Sequence, residues 1–274
     1  MNPAILRHIN REVCGDPIDG GFAGLNRLIA ARMPEGGFTR GISVGCGVAA
    51  KEITLLSENI VERFDLFEVS EERIEIASRL ARRHGVRDRI EFHAIDPFSA
   101  PIEAAYDLVY WNNALHHMFD AADAIAWSYN SLKPGGTFAM DDFVGAARFQ
   151  WSPFELDIAS RVRELLPERL LADPYRESGL LDRRLHRPDL DAFIAADPSE
   201  AADSDKILDG IRLVFPNAEI ILTGGVVYHL ALNDVLANFD DEQDAALLQS
   251  LLLLDATLAS AGHSQYAVAL AMKE

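Results

Sequence analysis

The sequence predicts a doubly wound α/β fold: a mostly parallel sheet with helices on both faces, interrupted by a helical insertion. Three observations carry this expectation. Short apolar runs alternate with helical stretches from about residue 41 to 145, and the first apolar run leads straight into two glycines one residue apart. The alternation then lapses after 146 and resumes near 217. Strands separated by helices read as βαβ units, whose sheet is parallel and buried on both faces.

The elements follow in order. Residues 1–36 read as helices around the loop "GDPIDGG", and residues 37–145 as a ligand-binding core. In that core "GISV" is a strand, "AAKEITLLSENI" a helix and "RFDLFEV" a strand. "SEERIEIASRLARRHG" is a helix with Ser70 as its N-cap and Gly85 as its C-terminal stop. "IEFHAI" and "YDLVYWN" are strands, "AADAIAWSYNSLK" is a helix stopped by "PGG", and "TFAMDDFV" is a strand. Residues 146–216 carry Pro153, Pro167, Pro174, Pro188 and Pro198 and no clear strand, so they read as a helical cap. Residues 217–274 complete the sheet with "AEIILTGG", two helical segments and "QYAVALAMK", which makes residues 1–274 one capped domain.

Composition narrows the function. The formal net charge of −18 argues against a nucleic-acid partner, because backbone binding depends on Lys and Arg displacing counterions. The basic run "RLARRHGVRDR" reads as a solvated helix end. The apolar stretch "AALLQSLLLLDATLA" is interrupted by Gln249, Ser250 and Asp255 and is too short for a membrane span. The first residues lack the apolar core of a signal peptide, and the two cysteines, Cys14 and Cys46, have neither disulfide-framework nor metal-ligand spacing. The expectation is a cytoplasmic protein with no structural metal.

In an open parallel sheet, ligands bind beyond the carboxyl ends of the strands. Gly45 and Gly47 follow the first strand, where a missing Cβ lets the backbone approach a ligand, and Cys46 between them reads as a small filler. Glu68, followed by Val69, ends the second strand 21 positions after Gly47, a spacing that suits a carboxylate accepting hydrogen bonds from ribose hydroxyls. Asp96 follows the third strand between Ile95 and Pro97–Phe98, an acid with apolar walls suited to an adenine. Singly, each has a structural alternative; together, one adenosine accounts for all of them.

These segments, "SVGCGVAAKEI", "DLFEVSEERIEIA", "EFHAIDPF", "YDLVYWNNALHHM" and "LKPGGTFAMDD" in that order, resemble the class I S-adenosylmethionine-dependent methyltransferases. The resemblance implies a Rossmann-like, seven-stranded sheet with an antiparallel last strand, and S-adenosylmethionine as cofactor. It places Gly45 and Gly47 in the cofactor loop, Glu68 at the ribose and Asp96 at the adenine. Asn112, Asn113, His116 and His117 fall near the methionine part and the acceptor. Two departures stand out: Ser43 occupies a frequently acidic position, and Ala49 replaces a third glycine. A sulfonium nucleoside has no phosphate to cradle, so fewer glycines suffice. The later segments "DFVGAARFQW", "ADPSEAADSDKIL" and "GGVVYHLALNDVLANF" resemble a bacterial subgroup linked to polysaccharide and glycan biosynthesis. That implies a small-molecule acceptor, a sugar or glycan intermediate; the oligomeric state stays open in the sequence, with a homodimer among the alternatives.

Methyl transfer to a hydroxyl needs the acceptor held in line and its proton accepted. His116 or His117 leads as general base, since a neutral imidazole is basic at cytosolic pH, with Asp141 also a candidate. Asp142, Arg148, Trp151, Tyr228 and His229 are expected to contact the acceptor, and a metal held by Asp141, Asp142 and an asparagine amide is disfavoured because adjacent strand residues face opposite ways. Two other readings compete. One is a non-catalytic binder of the same cofactor, supported by the acid missing at Ser43. The other is a short-chain dehydrogenase using NAD, suggested by Gly41, Gly45 and Gly47 and by Tyr129 with Lys133. Against it, Gly41 falls before the strand residues and Lys133 precedes Pro134 at a helix end.

Overall fold

The computed structural model describes residues 2–99, 102–174, 176 and 178–274. Helices α1 (Pro3–Cys14) and α2 (Ala23–Arg32) precede the alternating core. That core runs β1 (Phe38–Val44), α3 (Ala50–Ser57), β2 (Val61–Phe67), α4 (Glu71–Arg83), β3 (Ile90–His93), β4 (Tyr106–Asn112), α5 (Ala121–Ser131) and β5 (Leu132–Phe143). The cap holds α6 (Pro153–Leu165) and α7 (Leu190–Ala196). Helix α8 (Ile207–Val214), β6 (Glu219–Gly224), α9 (Ala245–Ser260) and β7 (Tyr266–Met272) follow.

The seven strands lie in the order β3-β2-β1-β4-β5-β7-β6. Those from β1 to β5 pair in parallel, and β7 runs antiparallel to both β5 and β6. The expected fold class is the observed one. Chain order reverses between β1 and β4, which makes the carboxyl edge there the switch point where ligands gather.

Three apolar clusters hold the layers. One joins Ile29, Ile53, Leu56 and Phe64 beneath α2, α3 and α4; a second joins Trp111, Ile125, Phe138 and Phe215 beneath α5 and α8. The third packs α6 and α9 around the chain after β6. Gly41 is a packing residue, since a Cβ there would lie 2.5 Å from the Phe64 ring.

Local signals behave as physical chemistry predicts. Ser70 caps α4 by accepting from the Arg73 N–H, and Gly85 follows its end at φ +70°. Two expectations change. The "PGG" segment lies inside β5, because the strand resumes at Leu132 directly after α5 and absorbs Gly135 at φ +77° as an irregularity against β4. The segment 146–216 is helical, but Ile207, Ile211 and Phe215 of its last part join the sheet core, so α8 covers the sheet with α5. Among the described residues no helix is long and apolar enough to cross a membrane.

Candidate active site

Most of the chemistry-bearing residues collect at the carboxyl edge of the sheet. Gly45 and Gly47 turn there at φ +65° and +57°. A Cβ on Gly47 would meet nothing within 4 Å, so this turn presents open backbone. Ala49 stands at φ +54°, performing the left-handed turn that a third glycine would make easily. Glu68 is buried, and its carboxylate accepts from the Gly47 N–H at 2.9 Å and the Ser70 N–H at 3.0 Å, which ties the end of β2 to the glycine turn. Val69 and Ile95 are 76% and 57% exposed, and Phe98, 38% exposed, packs edge-on against the Trp127 ring, which together give an apolar rim. Asp96 forms the turn that its following proline suggests, accepting from the Phe98 N–H at 2.9 Å. This open, acid-edged and partly apolar shelf fits a nucleoside.

Further along the same edge lies a cavity of about 350 Å³. Its roof is Ile9, Val13, Phe22 and Leu25 of the N-terminal helices and the loop between them, and its floor includes Asn113, Asp141, Thr223, Tyr228 and Tyr266. Asp141 faces this space; burial, with the neighbouring Asp142 charge, pushes its carboxyl up to about 7. No local signal in residues 1–36 marks α1 and α2 as the elements that cover the site.

Between cavity and cap sits a histidine pair. His116 Nδ1 lies 2.5 Å from Asp142 Oδ1, while the other Asp142 oxygen accepts from the Ala114 and Leu115 N–H groups at 2.9 and 2.7 Å. Burial lowers the basicity of His116, but the Asp142 bond, with the Asp142 and Glu200 charges, outweighs it and the net direction is upward. His117 shifts down, through burial first and then its charged neighbour His116. His117 Nδ1 lies 3.1 Å from Ser199 Oγ, and Glu200 oxygens stand 3.8 and 3.9 Å from the two Nε2 atoms. His116 is one ring from the cavity wall: the Phe143 ring is centred 6.3 Å from it and 5.5 Å from Tyr266.

Several expected contacts are corrected. Asp142 is fully buried and spends both oxygens on the β4 exit, so it positions His116 and cannot touch an acceptor. Asn112 turns inward, donating to Tyr110 Oη at 2.7 Å. Arg148 pins the cap through the Pro198 and Glu200 carbonyls at 2.6 and 3.1 Å. Trp151 stacks on Phe149 and donates to Gln265 at 3.0 Å, which makes it a packing residue. Ser43 is buried and donates to Glu52 Oε1 at 2.7 Å, while Glu52 Oε2 has no hydrogen-bond partner among the described residues. A helix carboxylate thus stands beside the position where the strand lacks one. Cys46 is a filler whose thiol burial pushes up. Tyr228 lines the cavity; His229 lies in a ring of aromatics and is held neutral by burial, down to about 4.

The dehydrogenase pair does not assemble. Lys133 bonds Asp107 at 2.9 Å at the opposite end of β4, and the Tyr129 ring packs on Phe215. Lys51 and Glu200 were not anticipated. A lysine in the first turn of α3, against the helix dipole, was the available signal for the first; for Glu200 there was none.

Fold and site together form a Rossmann-like architecture with an open nucleoside-sized edge, and part of the chain is similar to known methyltransferases. Residues 42–138 match a family model described as a methyltransferase domain. The chain is 32% identical over 143 residues to 27-O-demethylrifamycin SV methyltransferase of Amycolatopsis mediterranei (strain S699), covering 52% of this chain and 51% of that protein. It is 29% identical over 119 residues to dimethylglycine N-methyltransferase of Parasynechococcus marenigrum (strain WH8102), covering 43% and 41%. The chain thus spans about half the length, or less, of these curated relatives. In fold it resembles Haemonchus contortus phosphoethanolamine N-methyltransferase 2, solved with S-adenosyl-L-methionine (TM-score 0.54, 15% identity, 92% of this chain and 52% of that one). It also resembles the [4+2]-cyclase SpnF (TM-score 0.51, 19% identity, 91% and 80%). The domain match supports S-adenosylmethionine as the cofactor. The cyclase is a reminder that this fold alone does not fix a reaction.

Proposed function

We propose that this chain is an S-adenosylmethionine-dependent methyltransferase acting on a hydroxyl of a small molecule, with His116 as the base and Asp142 as the group that orients it. The His116–Asp142 pair is the observation that carries the reading: an imidazole fixed by a buried carboxylate at the carboxyl edge, one ring from the cavity wall. The cofactor supplies a methyl group already activated by a positive sulfur. Glu68 would hold the ribose, Val69, Ile95, Asp96, Pro97 and Phe98 the adenine, and the turn Gly45–Gly47 the middle of the molecule. His116 takes the hydroxyl proton, and Asp142 stabilises the resulting imidazolium.

The cavity qualifies the acceptor. Its roof is apolar apart from Asn10, while Asn113, Asp141, Thr223 and the tyrosines give it a polar floor. That lining suits a hydroxyl, a sugar's included, carried on a molecule with an apolar portion. The non-catalytic alternative loses its support, because Glu52 places a carboxylate beside Ser43.

Calorimetry with S-adenosylhomocysteine tests the cofactor half. Wild type should bind it, and Glu68→Ala should bind at least about tenfold more weakly, as expected for a lost hydrogen bond to a charged group. Unchanged affinity in the variant would refute the ribose assignment. Homocysteine-nucleoside formation across a panel of hydroxylated acceptors tests the other half; transfer only to amines would refute it.

A further inference from the structure

We infer that Lys51 binds the carboxylate of the cofactor's amino-acid end, an assignment that rests on the cofactor reading above. The direction of the ligand follows from strand order. Asp96 and Glu68 end β3 and β2, and the glycine turn follows β1, so a nucleoside on that shelf extends its amino-acid tail toward β4, the next strand in the sheet. Lys51 stands at that point. Its Nζ donates to the Asn112 carbonyl at the end of β4 at 2.8 Å and lies 4.5 Å from the centre of the Phe22 ring, under the roof of the neighbouring cavity.

The electrostatics single this lysine out. It occupies the first turn of α3, where the helix dipole disfavours a cation and favours an anion. Burial lowers the basicity of its ammonium, and the neighbouring Glu52, Asp141 and Asp142 charges offset this only in part. Among the described residues the ammonium makes one hydrogen bond, to a neutral carbonyl, while three donors are available. An incoming carboxylate would satisfy the spare donors and gain the helix N-terminus as well. The cofactor has one anionic group, its α-carboxylate, and the shelf geometry brings that group here.

The test compares two ligands on the full chain. S-adenosylhomocysteine has the carboxylate; 5′-methylthioadenosine keeps the nucleoside and sulfur and lacks the amino-acid end. Lys51→Met should weaken S-adenosylhomocysteine roughly ten- to a hundredfold and change 5′-methylthioadenosine less than about twofold, which also shows that the variant is folded. Lys51→Arg should recover most of the loss. Equal weakening of both ligands would mean that Lys51 only supports the fold, and unchanged affinity for both would mean it touches neither; either overturns the assignment. Failure of wild type to bind 5′-methylthioadenosine at all would overturn the cofactor reading together with this one, and so is distinguishable from both.

Discussion

At the scale of single residues, two proton acceptors compete at the carboxyl edge. Asp141 faces the cavity with its carboxyl raised to about 7, a value suited to proton transfer near neutrality. His116 is set back by one ring yet is the group whose orientation is fixed, since Asp142 holds Nδ1 while Nε2 stands 3.8 Å from Glu200. Orientation decides between them, because a base must be delivered in one geometry to act in the transition state. His116→Ala should therefore lower kcat by about 10²- to 10⁴-fold with little change in S-adenosylhomocysteine affinity, and Asp142→Asn should lower it in the same direction. Asp141→Asn should cost less than His116→Ala. If the order of the two losses is reversed, the base is Asp141. The sequence made both candidates visible but could not rank them. Period-two alternation along β5 says that Asp141 and Asp142 point to opposite faces without saying which face holds the acceptor. Ser43 shows the same limit: its departure from an acidic position is plain in sequence, whereas Glu52 reaching it depends on how α3 packs on β1.

At the scale of elements, the strands and their order were legible because apolar runs and helix caps are local signals. The roof from α1 and α2 was not, because it depends on where those helices dock. The turn after β6 is a second case. "LTGG" reads as a strand end, but its glycines answer to a residue thirty positions later: a Cβ on Gly224 would lie 1.8 Å from Asp255 Oδ2. Asp255 is fully buried in α9 and accepts from the Gly225 and Val227 N–H groups at 2.9 and 2.7 Å, fixing the turn that sets Tyr228 in the cavity wall. Burial nevertheless raises its carboxyl to about 6 from 3.8. A folded-state value above the unfolded one means that the fold binds this proton more tightly. The contribution to stability is thus complete below pH about 3.8 and lost as pH rises through about 6. Asn cannot titrate, so the stability of wild type relative to Asp255→Asn should rise as pH falls from 7 to 4, by up to about 3 kcal/mol at 1.36 kcal/mol per pH unit. Urea unfolding of both proteins across that range measures it, and a difference independent of pH would show that Asp255 is ionised throughout.

At the scale of the whole molecule, charge selects among nucleoside cofactors. The chain carries −18, and the site has Glu68 and Asp96 at its edge, with Asp141 and Glu52, whose carboxyls burial raises, and Lys51 close by. A dinucleotide would bring two phosphates into that field, whereas S-adenosylmethionine brings a sulfonium and an ammonium against one carboxylate, a net charge of about +1. Its demethylated product keeps the same shape and is neutral overall. The two ligands make nearly the same contacts, so their affinity ratio isolates the field of the protein at the sulfur. Long-range attraction of this kind is screened over about 10 Å at 0.1 M salt and over about 3 Å at 1 M. Raising sodium chloride from about 0.05 M to about 1 M should therefore weaken S-adenosylmethionine more than S-adenosylhomocysteine. The expected relative change is a few-fold, corresponding to under about 1 kcal/mol. Calorimetry of both ligands at the two salt concentrations reads it directly. A ratio that stays flat would mean that Lys51 and local screening cancel the acidic field at the sulfur, and that shape alone, not charge, admits the cofactor.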